Sequence, residues 1–251
     1  MTHTPQHFTP KTAMVLAAGL GRRMRPLTDN TPKPLIQVAG KALIDHVLER
    51  VKDAGIKKAV VNVHHLADMV EQHLSGTKSP KISISDEREE LLETAGGIKK
   101  ALPLIGDEPF LIFNSDSLWV EHRTPGVPSA IRQFLDDWKP EKMDVLLMLV
   151  EPESAVGFDG PGDYFMEYNN QLTRRSYSVH APYIYAGVAV AKPCLFTDLR
   201  RGEVSLTEVF DKAQSKYRLY GSILRAPWLH IGTPDSITAA EEFIKSREEK
   251  E

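Results

Sequence analysis

The chain is almost devoid of cysteine. Cys194 is the only one in 251 residues, so no disulfide can close within the chain, which fits a reducing compartment. No uncharged apolar run approaches membrane-spanning length, and the first dozen residues, MTHTPQHFTPKT, lack the apolar core of a signal peptide. An excess of positive charge is missing too. The formal net charge is −3, so no general basic field draws the chain to nucleic acid or to an acidic membrane. Internal repeats and low-complexity tracts are absent. These absences lead to the expectation of a cytoplasmic protein with neither nucleic acid nor membrane as partner.

Two common glycine motifs are also incomplete. Residues 13–35 read AMVLAAGLGRRMRPLTDNTPKPL. A dinucleotide fingerprint needs a third glycine where Met24 stands, which argues against an oxidoreductase. A P-loop needs Gly-Lys-Ser/Thr where the chain has Met24-Arg25-Pro26.

What is present is a strand followed by a charged loop. Ala13 to Ala17 form a short apolar run that reads as a buried strand. Ala18-Gly19-Leu20-Gly21 can turn sharply and leave amides free to face an anion. Arg22, Arg23 and Arg25 follow, and Pro26, Pro32 and Pro34 are expected to hold the chain extended, with Lys33 locked between the last two. A stiff loop of fixed positive charge suits a polyphosphate whose phosphorus–oxygen bond changes hands.

The rest of the first half alternates strand and helix. A helix is expected over 41–54, stopped by Gly55, and another over 67–74; strands are expected over 59–63, 81–85 and 110–113. That rhythm predicts a mainly parallel sheet covered on both faces, with ligands beyond the carboxyl ends of its strands. Gly19 and Asn114-Ser115-Asp116 both fall at such an end. In the second half we expect helices over 130–138 and 206–216 and strands over 144–150, 183–190 and 217–224. A Pro- and Gly-rich loop covers 152–163, and a last helix starts at Thr233-Pro234. The 41% apolar content supports one domain over 1–251, with 1–11 as a loose tail.

Several residues have two readings. Asp116 is either a carboxylate for Mg²⁺ or a cap on the next turn. Leu91 to Gly97, LLETAGG, is either a helix start capped by Thr94 or, as we favour, a segment whose glycines let the backbone lie against a ligand. His64, His65 and Asp68 lack the further His or Cys of a recognisable metal spacing and read as structural. The charges at 86–90 read as a solvated turn, and Lys99 and Lys100 as a solvated helix face.

The loop resembles that of the sugar-1-phosphate nucleotidyltransferases, L-A-A-G-x-G-x-R-x-x-P-x-T followed by P-K-P. Here it reads Leu16-Ala17-Ala18-Gly19-Leu20-Gly21-Arg22-Arg23-Met24-Arg25-Pro26-Leu27-Thr28, then Pro32-Lys33-Pro34. The resemblance implies a three-layer α/β/α sandwich, the Rossmann-like nucleotide-diphospho-sugar transferase fold, with a mainly parallel mixed sheet. It implies a nucleotide-binding half at 12–150 and a sugar-phosphate-binding half at 151–251. The partners would be a nucleoside triphosphate and a sugar 1-phosphate, the products an NDP-sugar and pyrophosphate, and the cofactor Mg²⁺ or Mn²⁺. Ala17, Ala18, Gly19, Gly21 and Arg23 would hold the nucleotide, with Glu93, Gly96 and Gly97 against its base or ribose. Arg23 and Lys33 would be catalytic and Asp116 would bind metal.

The chain departs from the family in two places. W-x-D-x-G-T-P reads Trp228-Leu229-His230-Ile231-Gly232-Thr233-Pro234, so histidine replaces a metal-binding aspartate. His230 would ligate a softer ion, contact phosphate, or leave the metal to Asp116; a purely structural histidine is the fourth reading. Asp235 fits the first turn of the final helix. The family's Glu-Lys-Pro lysine for the sugar phosphate has no counterpart in the second half. Arg174, Arg175 or Lys192 would substitute, or else belong to an exposed charged hairpin, and Asp163, Tyr185 and Gly187 fit the sugar-contacting region loosely. Short members with L-E-T-A-G-G and a Gly-Asp-Tyr/Phe stretch, here Gly162-Asp163-Tyr164, look like the N-acetylmuramate-1-phosphate uridylyltransferases of peptidoglycan recycling. Mannose-1-phosphate guanylyltransferase is the first alternative, and a non-catalytic nucleotide sensor, supported by His230, is the alternative of another class. Without hexapeptide repeats, a monofunctional monomer or small homo-oligomer is expected.

Overall fold

The computed structural model describes residues 8–121 and 124–249; residues 1–7 of the expected tail lie outside the described residues. The strands are β1 (Thr12–Leu16), β2 (Gln37–Val38), β3 (Lys41–Ala42), β4 (Lys58–Val63), β5 (Lys81–Asp86), β6 (Phe110–Asn114), β7 (Ser117–Trp119), β8 (Val145–Val150), β9 (Ala155–Val156), β10 (Tyr164–Met166), β11 (Leu172–Arg174), β12 (Ile184–Ala191), β13 (Leu219–Ile223) and β14 (Trp228–His230). The helices are α1 (Leu43–Asp53), α2 (Ala67–Leu74), α3 (Glu93–Ile105), α4 (Ala130–Asp136), α5 (Cys194–Thr197), α6 (Leu206–Ser215) and α7 (Pro234–Glu248).

Seven strands make the central sheet in the order β13-β8-β12-β6-β1-β4-β5. β6, β1, β4 and β5 run parallel, β13 runs parallel to β8, and β12 is antiparallel to both of its neighbours. The sheet is therefore mixed and mainly parallel. Alternate side chains of each central strand enter opposite layers. In β1, Ala13 and Val15 pack toward α1, α2 and α4, while Met14 packs toward α3, α5 and α6. Both faces are covered, which is why β1 and β8 are apolar without alternation. α1 shows how a helix attaches: Ile44, Val47, Leu48 and Val51 form one buried stripe, each contributing about 1.5–3 kcal/mol on burial.

Two small features place the site. β7, β14 and β9 form a separate three-stranded sheet, and α7 closes over it. Met24, Ile36, Val38, Leu43, Leu118, Leu229 and Ile231 make a third core beneath, which ties the loop after β1 to that sheet.

Two expectations need correction. Residues 93–105 are a helix, so the LLETAGG segment is a helix start after all. The prolines do not keep 22–35 extended: Arg22–Met24, Leu27–Asp29 and Lys33–Leu35 are each a turn of 3₁₀-helix. Proline tolerates the first positions of a helical turn because its absent N–H has no partner there anyway.

Candidate active site

The carboxyl ends of β1, β4 and β6 open onto a cleft of about 530 Å³. One wall is continuous chain, from Leu16 to Met24 and then Lys33 and Pro34; Asn114, Ser115 and Asp116 form the other. The turn over 18–21 is pinned from below. Met24 is fully buried, its amide donates to the Gly21 carbonyl at 2.8 Å, and the Thr28 hydroxyl donates to the same oxygen at 2.9 Å. Among the described residues nothing accepts from the amides of Ala18, Gly19, Leu20 and Gly21. Open amides of this kind are what an anion-facing cradle would need.

Charge converges on the cleft from separate elements. Lys33 Nζ forms a short salt bridge to Asp116 Oδ2, with both side chains mostly shielded from solvent. Arg22 and Arg23 line the cleft and are exposed, whereas Arg25 turns away and pairs with Asp29 at 3.3 Å. His230 reaches this corner through backbone pairing: β14 runs antiparallel to β7 with His230 opposite Ser117, the residue after Asp116. Its ring lies edge-on to Phe158, centroids 5.6 Å apart, and tilted against Trp228. Burial lowers the imidazole pKa; Arg23 and Lys33 add to that while Asp116 opposes it, so the ring is neutral near neutral pH.

Asn62 was not anticipated. Its Oδ1 accepts from the Ala17 amide at 2.7 Å and its Nδ2 donates to Glu87 Oε1 at 2.8 Å, fixing the strand end where the loop begins. Glu87 is fully buried, and burial raises its carboxyl pKa. The available signal was a polar residue inside the apolar run Val60-Val61-Asn62-Val63.

Gly96 and Gly97 do not line the cleft. They are buried in α3, and a Cβ on Gly96 would sit 2.5 Å from the Gly202 carbonyl oxygen, one on Gly97 2.6 Å from Glu87 Oε1. The close approach that calls for glycine is to the protein's own backbone and core. Glu93 does reach the cleft, held at φ 60° where α3 starts, an uncommon backbone for glutamate.

A second cavity, about 390 Å³, adjoins the first and shares Glu93, Thr94 and Asn114 with it. Asp163 and Tyr185 line it. Asp163 Oδ2 accepts from the Tyr185 amide at 2.9 Å, and burial raises the Asp163 carboxyl pKa. The Tyr185 ring meets Phe210 edge-on, and its hydroxyl, shut from solvent, has no hydrogen-bond partner; burial raises its pKa. Gly187 sits behind this wall, at φ 78° in the bulge of β12, where Asn114 and Ser117 crowd it. Lys192 is removed from both cavities, beyond the far end of β12 beside the start of β6, and paired with Asp144 at 2.8 Å. His64 and His65 bond to the carbonyls of Glu87 and Thr28, and Asp68 pairs with Arg88.

A model of the nucleotidyl transferase family matches residues 12–247. The N-acetylmuramate alpha-1-phosphate uridylyltransferase of Caulobacter vibrioides is 44% identical over 92% of this chain and 96% of its own. The mannose-1-phosphate guanylyltransferase catalytic subunit beta of Drosophila melanogaster is 28% identical over 95% of this chain, which spans 64% of that protein. The inositol-1-phosphate CTP transferase of T. maritima superposes with a TM-score of 0.74 at 18% identity, over 94% of this chain and 98% of that one, and shares its fold. The chain belongs to the nucleotidyl transferase family of enzymes.

Proposed function

We propose that the chain transfers a uridylyl group from UTP to N-acetylmuramate 1-phosphate, giving UDP-N-acetylmuramate and pyrophosphate. The observation that carries this reading is the meeting of Lys33, Asp116 and the open amides of 18–21 at one cleft, with His230 near enough to feel the charges of Asp116, Arg23 and Lys33, in a chain 44% identical to an N-acetylmuramate alpha-1-phosphate uridylyltransferase. A phosphate monoester is already a nucleophile at neutral pH. Its oxygen attacks the α-phosphorus in line, a new phosphorus–oxygen bond forms, and the bond to the bridging oxygen of the β-phosphate breaks as pyrophosphate leaves. Positioning and charge neutralisation do the rest.

In this reading Lys33 stabilises charge on the α-phosphoryl oxygens and Arg23 holds the leaving phosphates. The amides of Gly19 to Gly21 cradle phosphate oxygens, Ala17 and Ala18 seat the nucleoside, and Glu93 contacts base or ribose. His230, neutral, donates a ring N–H to phosphate. A divalent cation fits this corner on Asp116. Among the described residues no three His, Cys, Asp or Glu side chains gather, but Mg²⁺ needs only one or two carboxylates and takes its other ligands from phosphate and water. When bound, it supplies neutralisation of the phosphates. Asp163 and Tyr185 line the sugar's place, with Gly187 shaping the wall behind them.

The nucleotide-binding half is 12–150 and the sugar-phosphate half 151–251, acting as one domain and as a monomer or small homo-oligomer. The role is peptidoglycan recycling in the cytoplasm, where UTP is available; among the described residues no helix is long and apolar enough to cross a membrane. Guanylyl transfer to mannose 1-phosphate is the second reading, favoured by the Drosophila relative.

The test is pyrophosphate release with UTP, GTP, CTP and dTTP against N-acetylmuramate 1-phosphate, mannose 1-phosphate and N-acetylglucosamine 1-phosphate, in Mg²⁺ and in Mn²⁺. Release is expected with UTP and N-acetylmuramate 1-phosphate; release with GTP and mannose 1-phosphate would install the second reading. A Mn²⁺ preference that His230→Asp converts to Mg²⁺ would place His230 on the metal.

A further inference from the structure

Apart from Glu93, which lines both, the two cavities divide their charged residues. Lys33, Asp116 and Arg23 line the first, Arg174 and Arg175 the second. An acceptor whose phosphate reaches the α-phosphorus beside Lys33 must extend past Asn114 and Thr94 into the second cavity. Its far end, not its phosphate, then meets the arginines.

The two arginines differ although they are neighbours in sequence. Arg174 is neutralised: Nε and Nη2 hold Asp211 at 2.7 Å each, a two-point carboxylate pair. Arg175 is held by neutral groups instead. Its Nε donates to the Gly162 carbonyl at 2.7 Å, and its Nη1 to the carbonyls of Tyr177 at 2.9 Å, Ser176 at 3.2 Å and Val179 at 3.4 Å. Its amide is fixed as well, donating to the Asp163 carbonyl at 2.9 Å. Among the described residues no carboxylate lies within ion-pair distance of this guanidinium, and Nη2 takes part in none of these bonds. The Asp163 carboxylate feels its field but is turned to the Tyr185 amide. Carbonyls hold the cation in place without cancelling its charge, so little entropy is left to lose when an anion arrives.

We propose that Arg175 recognises a second anionic group on the acceptor, a carboxylate carried on the sugar at the end remote from its 1-phosphate. This rests on the proposed transfer to N-acetylmuramate 1-phosphate, whose lactyl ether carries such a carboxylate. A sugar 1-phosphate without one leaves the Arg175 charge unanswered in a half-enclosed cavity, so the residue selects between acceptors that are otherwise alike.

The experiment compares kcat and KM for N-acetylmuramate 1-phosphate and N-acetylglucosamine 1-phosphate, with UTP, in the wild type, Arg175→Gln and Arg175→Lys. Arg175→Gln should lower kcat/KM for the acid about 10–100-fold, mostly through KM, as expected for losing one charged hydrogen bond. It should leave kcat/KM for the acceptor without the carboxylate, and UTP affinity, within about threefold. Arg175→Lys should recover part of the loss. Unaltered UTP affinity and melting temperature report an intact fold. Equal losses for both acceptors, or none for the acid, overturn the role of Arg175 while the proposed function stands. Wild-type preference for the acceptor without the carboxylate overturns the proposed substrate, and this role with it.

Discussion

At the nucleotide end of the cleft, one unbroken stretch, 16–24 with Lys33 and Pro34 just beyond, supplies cradle and positive charge together. At the end proposed for the acceptor the wall is assembled from pieces: Thr94 at the start of α3, Asn114 at the end of β6, Asp163 before β10, Arg174 at the end of β11 with Arg175 just beyond, Tyr185 in β12, and Phe210 in α6. In the proposed reading the nucleotide end works through backbone amides and a few fixed charges, which suits a triphosphate that is the same whatever sugar is used. The acceptor end works through side chains on separate elements, each of which can change without disturbing the others.

The comparison can be broken first at Lys33. Lys33→Ala removes a shielded charge that touches Asp116, and kcat for pyrophosphate release should fall about 10²-fold or more, with acceptor KM moving far less. A near-wild-type kcat would remove the chemistry from this end. The next effect falls on the acceptor end. Gly162 sits at φ 72°, and a Cβ there would collide with the Ala181 carbonyl. Gly162→Ala should cost about 1–3 kcal/mol, read from the urea midpoint, and weaken acceptor binding while UTP affinity holds. Equal weakening of both substrates would show that the ends are not separable.

A smaller effect tests the support beneath the nucleotide end. Burial raises the Glu87 carboxyl above its ordinary 4.5, so the native state binds this proton more tightly than the unfolded chain does. The stability this contributes is full below pH 4.5 and is lost as pH rises through the folded value. Glu87→Gln should flatten that slope, seen as melting temperatures that approach or overtake the wild type toward neutral pH; parallel pH profiles would exclude the linkage. The smallest effect belongs to Arg174. Its pair with Asp211 is 44% and 41% exposed, and Arg174→Gln should cost under about 1 kcal/mol in urea unfolding. A loss several times larger would give Arg174 a structural part that its exposure denies it.

Much of the fold was legible because its signals are local. β1, α1, α2 and β4 to β6 followed from apolar period and length, and the helix over 67–74 matched to the residue. α3 was misread because Gly96 and Gly97 weaken a helix by propensity, and nothing local shows that Gly202 and Glu87 need their missing side chains. The hairpin of β10 and β11 was read only as an exposed charged alternative without strand bounds, and the sheet of β7, β14 and β9 was not seen, since strands of two or three residues carry no period. Lys192 was a candidate only because it was basic; β12 runs antiparallel, which takes its end away from the cleft.

The amino-acid sequence by itself determined the charged loop after β1, because amides, arginine and Lys33 lie on one short stretch whose geometry is local. It also determined the layered α/β plan, because burial on both faces of a sheet is written in each strand's composition. Only the tertiary structure decided that His230 stands beside Asp116, through a backbone register between distant segments, and that Asn62 anchors Ala17. It alone separated Arg174 from Arg175, two identical side chains in adjacent positions. One faces Asp211 and the other only carbonyl oxygens, and which partner an arginine meets depends on what the rest of the chain folds against it.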